Sequence, residues 1–578
     1  MRLTPLLQRM GRRRARVPPG ARFGGALGAI FMGLTAAMSA PSATANDPPT
    51  VIDRPAFAED RSLACLGGDA PACNLRIYQV MVESFANGGG AGYGAGYGPS
   101  AHRGDLKGVT LALDYIASLG VNALWLTPIF DSHSGAPQMR VNGPHPADLK
   151  LDATGYFARD YFKVDPRFGT LQDLRALVDA AHARGLYVFL DGVFGHHKGD
   201  VVASPSGKRP VDSTNPADYP GNPKDYPGRV VDYRHPDSLA FFQEVATYWI
   251  EAVGIDGWRF DQAFQVPPQA WAQIRRVVEE TCAARQARGE RWGTLCYMVG
   301  EVWDRADRIR ASAYGDDRVR ALDSAFDFPV RYALVQVLGG EEHAKNRLPA
   351  TTLLDDWALG AHRTYPERAM PNLMLGNHDL VRFGDLLQRH KVADIADEAY
   401  WTRHALAFKF MTAWSGPITL YYGEELGQEH PNFAEQVIDN CAEFGLCDDH
   451  VSRTDGLVPG LTIAAEALDP RALALKDLVA RLMRLRADEQ ALWAGVRQHV
   501  HADRETFVVL KSRGARRILF VMNVGEAPRT LAFAPAALGG GATKLRDLET
   551  GEILSATDVQ GRLLAPLAGL EGRFLAVE

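Results

Sequence analysis

Residues 257–264 read GWRFDQAF, an apolar run that contains the two charged residues Arg259 and Asp261. Side chains alternate along a β-strand, so Trp258 and Phe260 face one side while the charged pair faces the other. A charge in a core is costly unless it is paired, and Arg259 is the obvious partner for Asp261. The pattern fits a structural ion pair. It also fits a carboxylate that a guanidinium keeps ionised for nucleophilic attack.

Seven further apolar runs of this kind alternate with amphipathic helical segments between residues 76 and 490. Eight strand–helix units in succession predict an α/β fold, a (β/α)8 TIM barrel with parallel strands. The predicted strand segments are 76–82, 121–130, 186–194, 256–261, 297–303, 322–328, 372–379 and 418–425.

The composition outside these units predicts how the remaining chain is organised. Segment 195–235, after the third strand, is rich in Pro, Gly, Asp and Lys. It is too long for an ordinary connection, so we expect a small lobe over the barrel mouth. From residue 491 onward, short β-rich segments separated by turn residues predict a C-terminal antiparallel β-sandwich domain, 491–578. Residues 75–490 then form the barrel with its lobe, and residues 46–74 an N-terminal extension.

The N-terminal 45 residues have the pattern of an export signal. Small residues at 43–45 offer a cleavage site after Ala45, and the apolar segment before them, GGALGAIFMGLTAAMSA, is short for a membrane span. A membrane anchor is the alternative. We expect a periplasmic or secreted protein with no stable membrane association after cleavage. The basic region of this signal consists of Arg12, Arg13, Arg14 and Arg16.

Charge and cysteine content indicate which partners to expect and how the cysteines are used. A formal net charge of -6 gives no reason to expect a nucleic acid partner. No cysteine pair has the CxxC spacing of a zinc site, and an exported protein meets an oxidising compartment. We therefore predict three short-range disulfides between the cysteines closest in sequence, although the sequence alone does not fix their connectivity. The pairs are Cys65–Cys73, Cys282–Cys296 and Cys441–Cys447.

Polar residues follow the predicted strands at their carboxyl ends, where barrels of this type carry reactive side chains. Retaining cleavage of a glycosidic bond needs a carboxylate and a carboxylic acid about 5 Å apart. We expect Arg259 to lower the pKa of Asp261, and apolar neighbours to raise the pKa of Glu301. The polar residues at the strand ends are Asp191, His196, Arg259, Asp261, Glu301, Asn377, His378 and Asp379.

Four segments resemble, in the right order and on the right strands, the signature regions of the α-amylase family, glycoside hydrolase family 13: DGVFGH (191–196), GWRFDQAF (257–264), GEVWD (300–304) and LGNHD (375–379). The resemblance extends over nearly all of residues 75–570. GYFARDYFKVDPRFGT, residues 155–170, is typical of the maltogenic and neopullulanase-like branches of that family.

This resemblance implies a role for each residue at the predicted barrel mouth. Asp261 would be the nucleophile, Glu301 the general acid/base and Asp379 the stabiliser of the transition state. Asp191 would be a structural partner of Arg259, which orients Asp261. The substrate-binding residues that the resemblance implies are Arg259, His196, His378, Tyr156 and Asn377.

The sequence departs from the family pattern at positions that bear on metal binding. Gly195 stands where the first motif usually has Asn, and Phe264 where the second usually ends in His. The replaced Asn and His are calcium ligands in many α-amylases. We therefore expect no required cofactor and no calcium at that site. Asn87 and Asp105 resemble part of a second calcium loop near the first strand, but GGGAGYG replaces the acidic residues that complete it.

The implied activity is hydrolysis, with retention, of α-1,4-glucosidic bonds in starch-derived oligosaccharides or cyclodextrins. A transglycosylase or an enzyme acting on α-1,6 bonds would use the same three carboxylates. A non-catalytic glucan-binding protein is a third alternative, against which the presence of all three carboxylates argues. A phosphate-dependent barrel enzyme would need a glycine-rich phosphate site after the last strands, which this sequence lacks.

Overall fold

The protein is described by a computed structural model. The predicted signal segment, 1–45, and the predicted pair Cys441 and Cys447 lie outside the described residues. The described residues are 48–58, 63–90, 98–132, 139–140, 143–144, 154–224, 226, 228–316, 318–343, 346–431, 448 and 450–578.

Eight parallel strands close into a barrel, which confirms the predicted fold class. Each strand is shorter than the apolar run that predicted it, because the polar residues at its end continue into a loop. Pairing of Ile418 with Arg76 joins the last strand to the first. The strands are β1 Arg76–Val80, β2 Ala123–Leu126, β3 Tyr187–Gly192, β4 Gly257–Phe260, β5 Tyr297–Gly300, β6 Ser324–Phe326, β7 Met370–Met374 and β8 Ile418–Tyr421.

Large apolar side chains from the strands fill the interior of the barrel, so it is a packed core rather than a channel. Polar residues are therefore concentrated at the ends of the strands. Arg259 of β4 stands level with Asp191 of β3, and this register brings the two charges together. The interior side chains include Ile77, Trp125, Phe189, Tyr297, Val299, Phe326 and Met374.

Amphipathic helices surround the barrel, and local sequence signals set their ends. Thr170 and Asp173 form a capping box at the start of α3, and Gly254, with φ 77°, ends α4 in the left-handed conformation. No helix of the described residues is both long and apolar enough to cross a membrane. The longer helices are α1 Leu106–Leu111, α2 Leu113–Ser118, α3 Leu171–Ala183, α4 Pro236–Val253, α5 Pro268–Ala287, α6 Phe328–Leu338, α7 Phe383–Arg389, α8 Glu398–Ala413 and α9 Pro470–Asp488.

The segment after β3 forms the lobe that its length and composition predicted. Its two-stranded hairpin pairs His196–His197 with Arg229–Val230 in antiparallel register. Successive residues of a strand point to opposite sides. The side chain of His196 lies near Asp261, and that of His197 lies 3.2 Å from Asp212 within the lobe.

The C-terminal strands form two antiparallel sheets that enclose a second apolar core, including Leu510, Leu519 and Phe533. Two short strands of the predicted N-terminal extension join these sheets, which the sequence did not predict. Thr50–Ile52 pairs with β12, and Phe57–Ala58 pairs with β9. The C-terminal strands are β9 Val496–Ala502, β10 Thr506–Arg513, β11 Arg516–Asn523, β12 Arg529–Phe533, β13 Leu545–Asp547, β14 Ile553–Leu554, β15 Leu563–Leu567 and β16 Glu571–Val577.

Two of the predicted disulfides are present. Cys65 and Cys73 are bonded with their Cα atoms 5.5 Å apart, and Cys282 and Cys296 with theirs 6.2 Å apart. Both distances lie in the normal range for a disulfide. The second bond ties the end of α5 to the residue before β5, close in sequence to Glu301.

Candidate active site

The predicted site residues converge at one end of the barrel. Asp191 lies in β3 just before that strand ends, Asp261 directly follows β4, and Glu301 directly follows β5. Asp379 lies five residues beyond the end of β7. Because the barrel strands are parallel, their carboxyl ends all meet at the same mouth, where sites of this fold are found.

Arg259 is the centre of this cluster and is almost completely buried. Its Nη1 donates to both oxygens of Asp191, at 2.8 and 2.9 Å, and to Asp261 Oδ1 at 3.0 Å. Its Nη2 lies 3.0 Å from Glu301 Oε2. One guanidinium therefore holds three carboxylates together, and Asp191 takes the predicted structural position beside Arg259.

The protonation of these carboxylates differs from the sequence-based prediction. Burial raises the pKa of Asp261 to about 7, although Arg259 acts to lower it. Burial likewise raises the pKa of Glu301 to about 7, again opposed by Arg259. The predicted rise for Glu301 is confirmed. Burial outweighs the predicted effect of Arg259, which acts to lower the pKa of Asp261, and the net shift is upward. Arg259 divides its charge among three acids, so it cannot offset the burial of each one.

The two oxygens of Asp261 have different surroundings. Oδ1 accepts a hydrogen bond from Arg259. Oδ2 is buried and has no hydrogen-bond partner among the described residues, and His196 Nε2 lies 3.9 Å from it. Burial lowers the pKa of His196 to about 4, so this histidine is neutral near pH 7. An unpartnered carboxylate oxygen at a barrel mouth is a candidate nucleophile.

A chain of hydrogen bonds orients His378 and Tyr156. Gln79 Nε2 donates to His378 Nδ1 at 2.7 Å, so the ring proton of His378 sits on Nε2. That nitrogen lies 2.6 Å from the hydroxyl of Tyr156, which donates to Asp191 Oδ2 at 3.0 Å. The rings of Tyr156 and His378 are stacked, with an interplanar angle of 11°. Both residues lie at the mouth, as the sequence predicted.

Asp379 is held by a residue that the sequence analysis did not identify. Arg453 Nη2 donates to Asp379 Oδ1 at 2.6 Å, and His378 Nε2 lies 3.2 Å from Asp379 Oδ2. Burial acts to raise the pKa of Asp379, but His378, Arg453 and Arg259 outweigh it and lower the value to about 2. Asp379 is therefore the carboxylate of this site that stays ionised across the whole physiological range.

Asn377 is part of this site, and its side chain is held by neighbouring residues. Its side chain is buried, and its Oδ1 accepts a hydrogen bond from the backbone N–H of Asp379 at 2.8 Å. The amide nitrogen of Asn377 faces the sulfur of Met374 at 3.7 Å. The Asn377 side chain thus shapes the turn that carries Asp379, and its contact with substrate stays a prediction.

Comparison with known proteins identifies the family. The family model for the α-amylase catalytic domain matches residues 79–219 and 230–455, which include all three carboxylates. The chain belongs to the α-amylase family. The family resemblance of the four signature segments is thereby confirmed, and the α-amylase barrel accounts for most of the chain.

Among curated α-amylase relatives, the cyclomaltodextrinase of Thermoanaerobacter pseudethanolicus is 30% identical over 377 residues, which cover 61% of this chain and 57% of that protein. Neopullulanase 2 of Thermoactinomyces vulgaris is 30% identical, over 61% of this chain and 56% of that protein. The chain therefore spans somewhat more than half the length of the curated relatives it matches. These names confirm the predicted likeness to the neopullulanase- and cyclomaltodextrinase-like branch.

Solved structures give a similarity over more of the chain. The crystal structure of AmyP in complex with maltose is 46% identical, with a TM-score of 0.80, over 88% of this chain and 97% of that chain. A variant of AmyP in complex with maltotriose is 45% identical over 88% of this chain and 98% of that chain, again with a TM-score of 0.80.

The residues at the two calcium positions considered in the sequence analysis do not fit a calcium ion. A Cβ atom at Gly195 would lie 2.3 Å from Gln265 Oε1, so the Gln265 side chain fills that space. Asp105 is the N-cap of α1, and its oxygens accept backbone N–H bonds from Gly88, Gly90 and Gly108. In the described residues there is no group of three or more His, Cys, Asp or Glu that could hold a metal ion.

Arg453, Gln79 and Gln265 are the site residues that sequence reasoning missed. Arg453 lies in an irregular segment 74 positions after Asp379, where no strand or helix pattern marks it. Gln79 lies in β1 and could have been suspected, because a glutamine in an otherwise apolar barrel strand needs a partner. Gln265 directly follows Phe264, where the sequence departs from the family pattern.

Proposed function

We propose that this protein hydrolyses α-glucosidic bonds of starch-derived oligosaccharides or cyclodextrins with retention of configuration. One observation carries the proposal: the Arg259 guanidinium holds Asp261 on one terminal nitrogen and Glu301 on the other. Two carboxyl groups bound to one guanidinium suit the short spacing of a retaining pair, about 5 Å, better than the about 6.5–9.5 Å of inverting enzymes.

In the first step, the neutral carboxyl group of Glu301 gives its proton to the glycosidic oxygen as the C1–O bond breaks. The unpartnered Oδ2 of Asp261 forms the new bond to C1, which gives a glycosyl ester and a free leaving group. In the second step, a water molecule loses a proton to Glu301 and attacks C1. The ester bond breaks, and Asp261 returns to its carboxylate form.

The other side chains of the cluster prepare the sugar for this chemistry. The ionised Asp379 supplies negative charge beside a sugar ring that becomes oxocarbenium-like in the transition state. His378 and His196 lie beside Asp379 and Asp261 and are assigned to sugar hydroxyls. Tyr156 supplies an apolar ring surface on which a sugar can stack.

The assignment of substrate class is supported by the relatives. AmyP binds maltose in its crystal structure, and other relatives are named for cyclomaltodextrin or pullulan. Transglycosylation and α-1,6 cleavage use the same carboxylates, so they remain the alternatives. A glucan-binding protein without catalysis would have no need to hold Glu301 and Asp261 on one guanidinium.

The chain is further proposed to act in the periplasm or outside the cell, after removal of residues 1–45. The basic and apolar N-terminal pattern and the two disulfides support this location, because disulfides persist in oxidising compartments. N-terminal sequencing of the protein purified from the periplasm or culture medium of its natural host tests this location. A mature chain that begins at Asn46 is expected, and an intact Met1 would contradict the proposal.

Product chromatography on maltoheptaose, β-cyclodextrin, pullulan and sucrose tests the activity. Short maltooligosaccharides from maltoheptaose or β-cyclodextrin are expected, and Asp261→Asn should form none. Longer products in place of shorter ones would favour transglycosylation, and cleavage of pullulan at α-1,6 bonds alone would favour the other alternative. Binding of maltoheptaose without any turnover would overturn the proposal.

A further inference from the structure

Gln265 links the lobe to the strand that carries Asp261. It ends the short 3-10 helix Ala263–Gln265, which begins two residues after Asp261. The Gln265 side-chain amide lies 2.8 Å from His196 Nδ1 and 3.3 Å from the hydroxyl of Tyr226. Both partners belong to the lobe segment, so one side chain binds the lobe to the β4 end of the barrel at two points.

The backbone of the lobe is shaped to receive this side chain. A Cβ atom at position 195 would lie 2.3 Å from Gln265 Oε1 and 2.5 Å from Gln265 Cβ. Gly195 therefore allows Gln265 to pack against the chain directly before His196. Tyr226 also packs against the ring of His196, with 5.7 Å between the ring centroids. Tyr226 and Gln265 therefore both fix the position of the His196 ring.

The hydrogen bonds of His196 determine whether the nitrogen or the oxygen of the Gln265 amide should face His196 Nδ1. His196 Nε2 lies 3.1 Å from the backbone carbonyl of Tyr156, which can only accept, so Nε2 carries the proton. In a neutral ring, Nδ1 then has to accept. As placed, the amide has Oε1 at His196 Nδ1 and donates from Nε2 to the Tyr226 hydroxyl and to Gln262 Oε1 at 3.2 Å. The nitrogen and oxygen of an amide have the same shape, so a half-turn of both glutamine amides lets Gln265 donate to Nδ1 and accept from the Tyr226 hydroxyl and the Gln262 nitrogen.

We propose that Gln265 is a positioning residue for the reaction, because it fixes the ring orientation and the neutral state of His196 beside Asp261. This inference rests on the proposed function, in which His196 contacts the sugar at the cleavage point. The Nε2–H that donates to the Tyr156 carbonyl also lies 3.9 Å from Asp261 Oδ2, so a sugar hydroxyl bound beside Asp261 would be a second acceptor for it. A neutral imidazole adds no positive charge next to a sugar that itself becomes positive in the transition state.

Gln265→Leu and Gln265→Ala test the positioning role. Leucine keeps most of the side-chain volume but has no hydrogen-bonding group, so both variants should lose the hold on His196. We expect kcat on maltoheptaose to fall between about tenfold and a hundredfold, as for other misplaced catalytic contacts, with a smaller change in KM. Gln269→Ala, at an exposed glutamine of α5, is the matched control and should keep wild-type kinetics.

Gln265→Glu supplies a readout that a purely structural role would not move. A carboxylate at this position can only accept, so His196 has to carry protons on both nitrogens to satisfy it. The titratable side chains that face His196 are Asp261 and Tyr226, and His197 is its chain neighbour. The pKa of His196 should rise, and the acid limb of the kcat/KM profile should move to lower pH, because an imidazolium favours ionised Asp261.

The possible outcomes separate this inference from the proposed function. Absence of turnover by the wild-type protein would contradict the proposed function itself. With an active wild type, wild-type kcat in Gln265→Leu or Gln265→Ala would overturn the positioning role, even if the melting temperature fell. An unchanged pH profile in Gln265→Glu would overturn the assigned state of His196. Histidine NMR of the three variants would report the protonation state of His196 independently of activity.

Discussion

Arg453 donates from Nη2 to Asp379 Oδ1 at 2.6 Å and from Nε to the backbone carbonyl of His378 at 3.1 Å. This arginine, which is almost completely buried, fixes both the charge and the position of the carboxylate after β7. Asp379 therefore differs from Asp261 and Glu301, which share the single guanidinium of Arg259.

Replacement of Arg453 by methionine should raise the pKa of Asp379 and lower kcat by about tenfold or more, because a charge-assisted hydrogen bond is lost. Arg453→Lys should keep part of the activity, since it keeps the charge without the planar two-point contact. Kinetics on maltoheptaose check this, with circular dichroism to confirm folding. Arg471→Met, which removes a partly exposed arginine that pairs with Asp469, is the control and should leave kcat unchanged. Wild-type kcat in Arg453→Met would contradict the prediction.

Glu301→Gln should slow natural substrates much more than substrates with good leaving groups. The amide has no proton to give, and a natural leaving group needs that proton whereas an activated aryl group does not. Comparison of kcat/KM for maltoheptaose and an activated aryl α-maltoside measures the difference. Equal losses on the two substrates would remove Glu301 from the role of general acid.

Burial of Glu301 should also cost stability in a defined pH range. Its pKa in the folded protein, about 7, lies above the ordinary value of 4.5. The folded state therefore binds more protons than the unfolded state between about pH 4 and 7, and the free energy of unfolding falls as pH rises through that range. Glu301→Gln removes this cost, so its melting temperature should exceed that of the wild type at pH 8 and match it near pH 4.

Glu342→Gln is the control, for which the change in melting temperature at pH 8 should have the opposite sign. Glu342 is also buried, but its bidentate pair with Arg331 lowers its pKa, so its charge stabilises the folded protein above about pH 4. Glu342→Gln should therefore melt below the wild type at pH 8. A loss of stability in both variants at pH 8 would contradict the assignment for Glu301.

The barrel and the position of its acids could be predicted because both follow from local patterns. Each apolar run covers all or most of one barrel strand, and Arg259 and Asp261 are two positions apart at the end of such a run. This spacing places both side chains on the same side of the chain. Because the strands are parallel, their carboxyl ends, and the charges there, meet at one mouth. No knowledge of distant contacts is needed for either prediction.

The features that the sequence did not predict depend on contacts between distant segments. The pKa of Asp261 depends on how many acids share Arg259, which only the closed barrel reveals. Arg453 reaches Asp379 from an irregular segment. Thr50–Ile52 is too short to mark itself as a strand, and it exists as one because β12 offers a free edge.

Chelation should have little effect on this protein. Gln265 fills the space beside Gly195, and backbone N–H groups surround the oxygens of Asp105, so neither position offers ligands for calcium. In excess EDTA we expect unchanged activity and a nearly unchanged melting temperature. A large drop in melting temperature that added calcium reverses would contradict this prediction.

The central claim is that Asp261 forms a covalent ester with the sugar. Incubation with a 5-fluoro-α-glucosyl fluoride, followed by digestion and mass spectrometry, tests it most directly. The ring fluorine slows both steps, but the fluoride leaving group keeps formation of the ester fast, so the ester accumulates. We expect one added fluoroglucosyl group on the peptide that contains Asp261, and none in Asp261→Asn, which should still fold. A label on Glu301 or Asp379 would contradict the assignment.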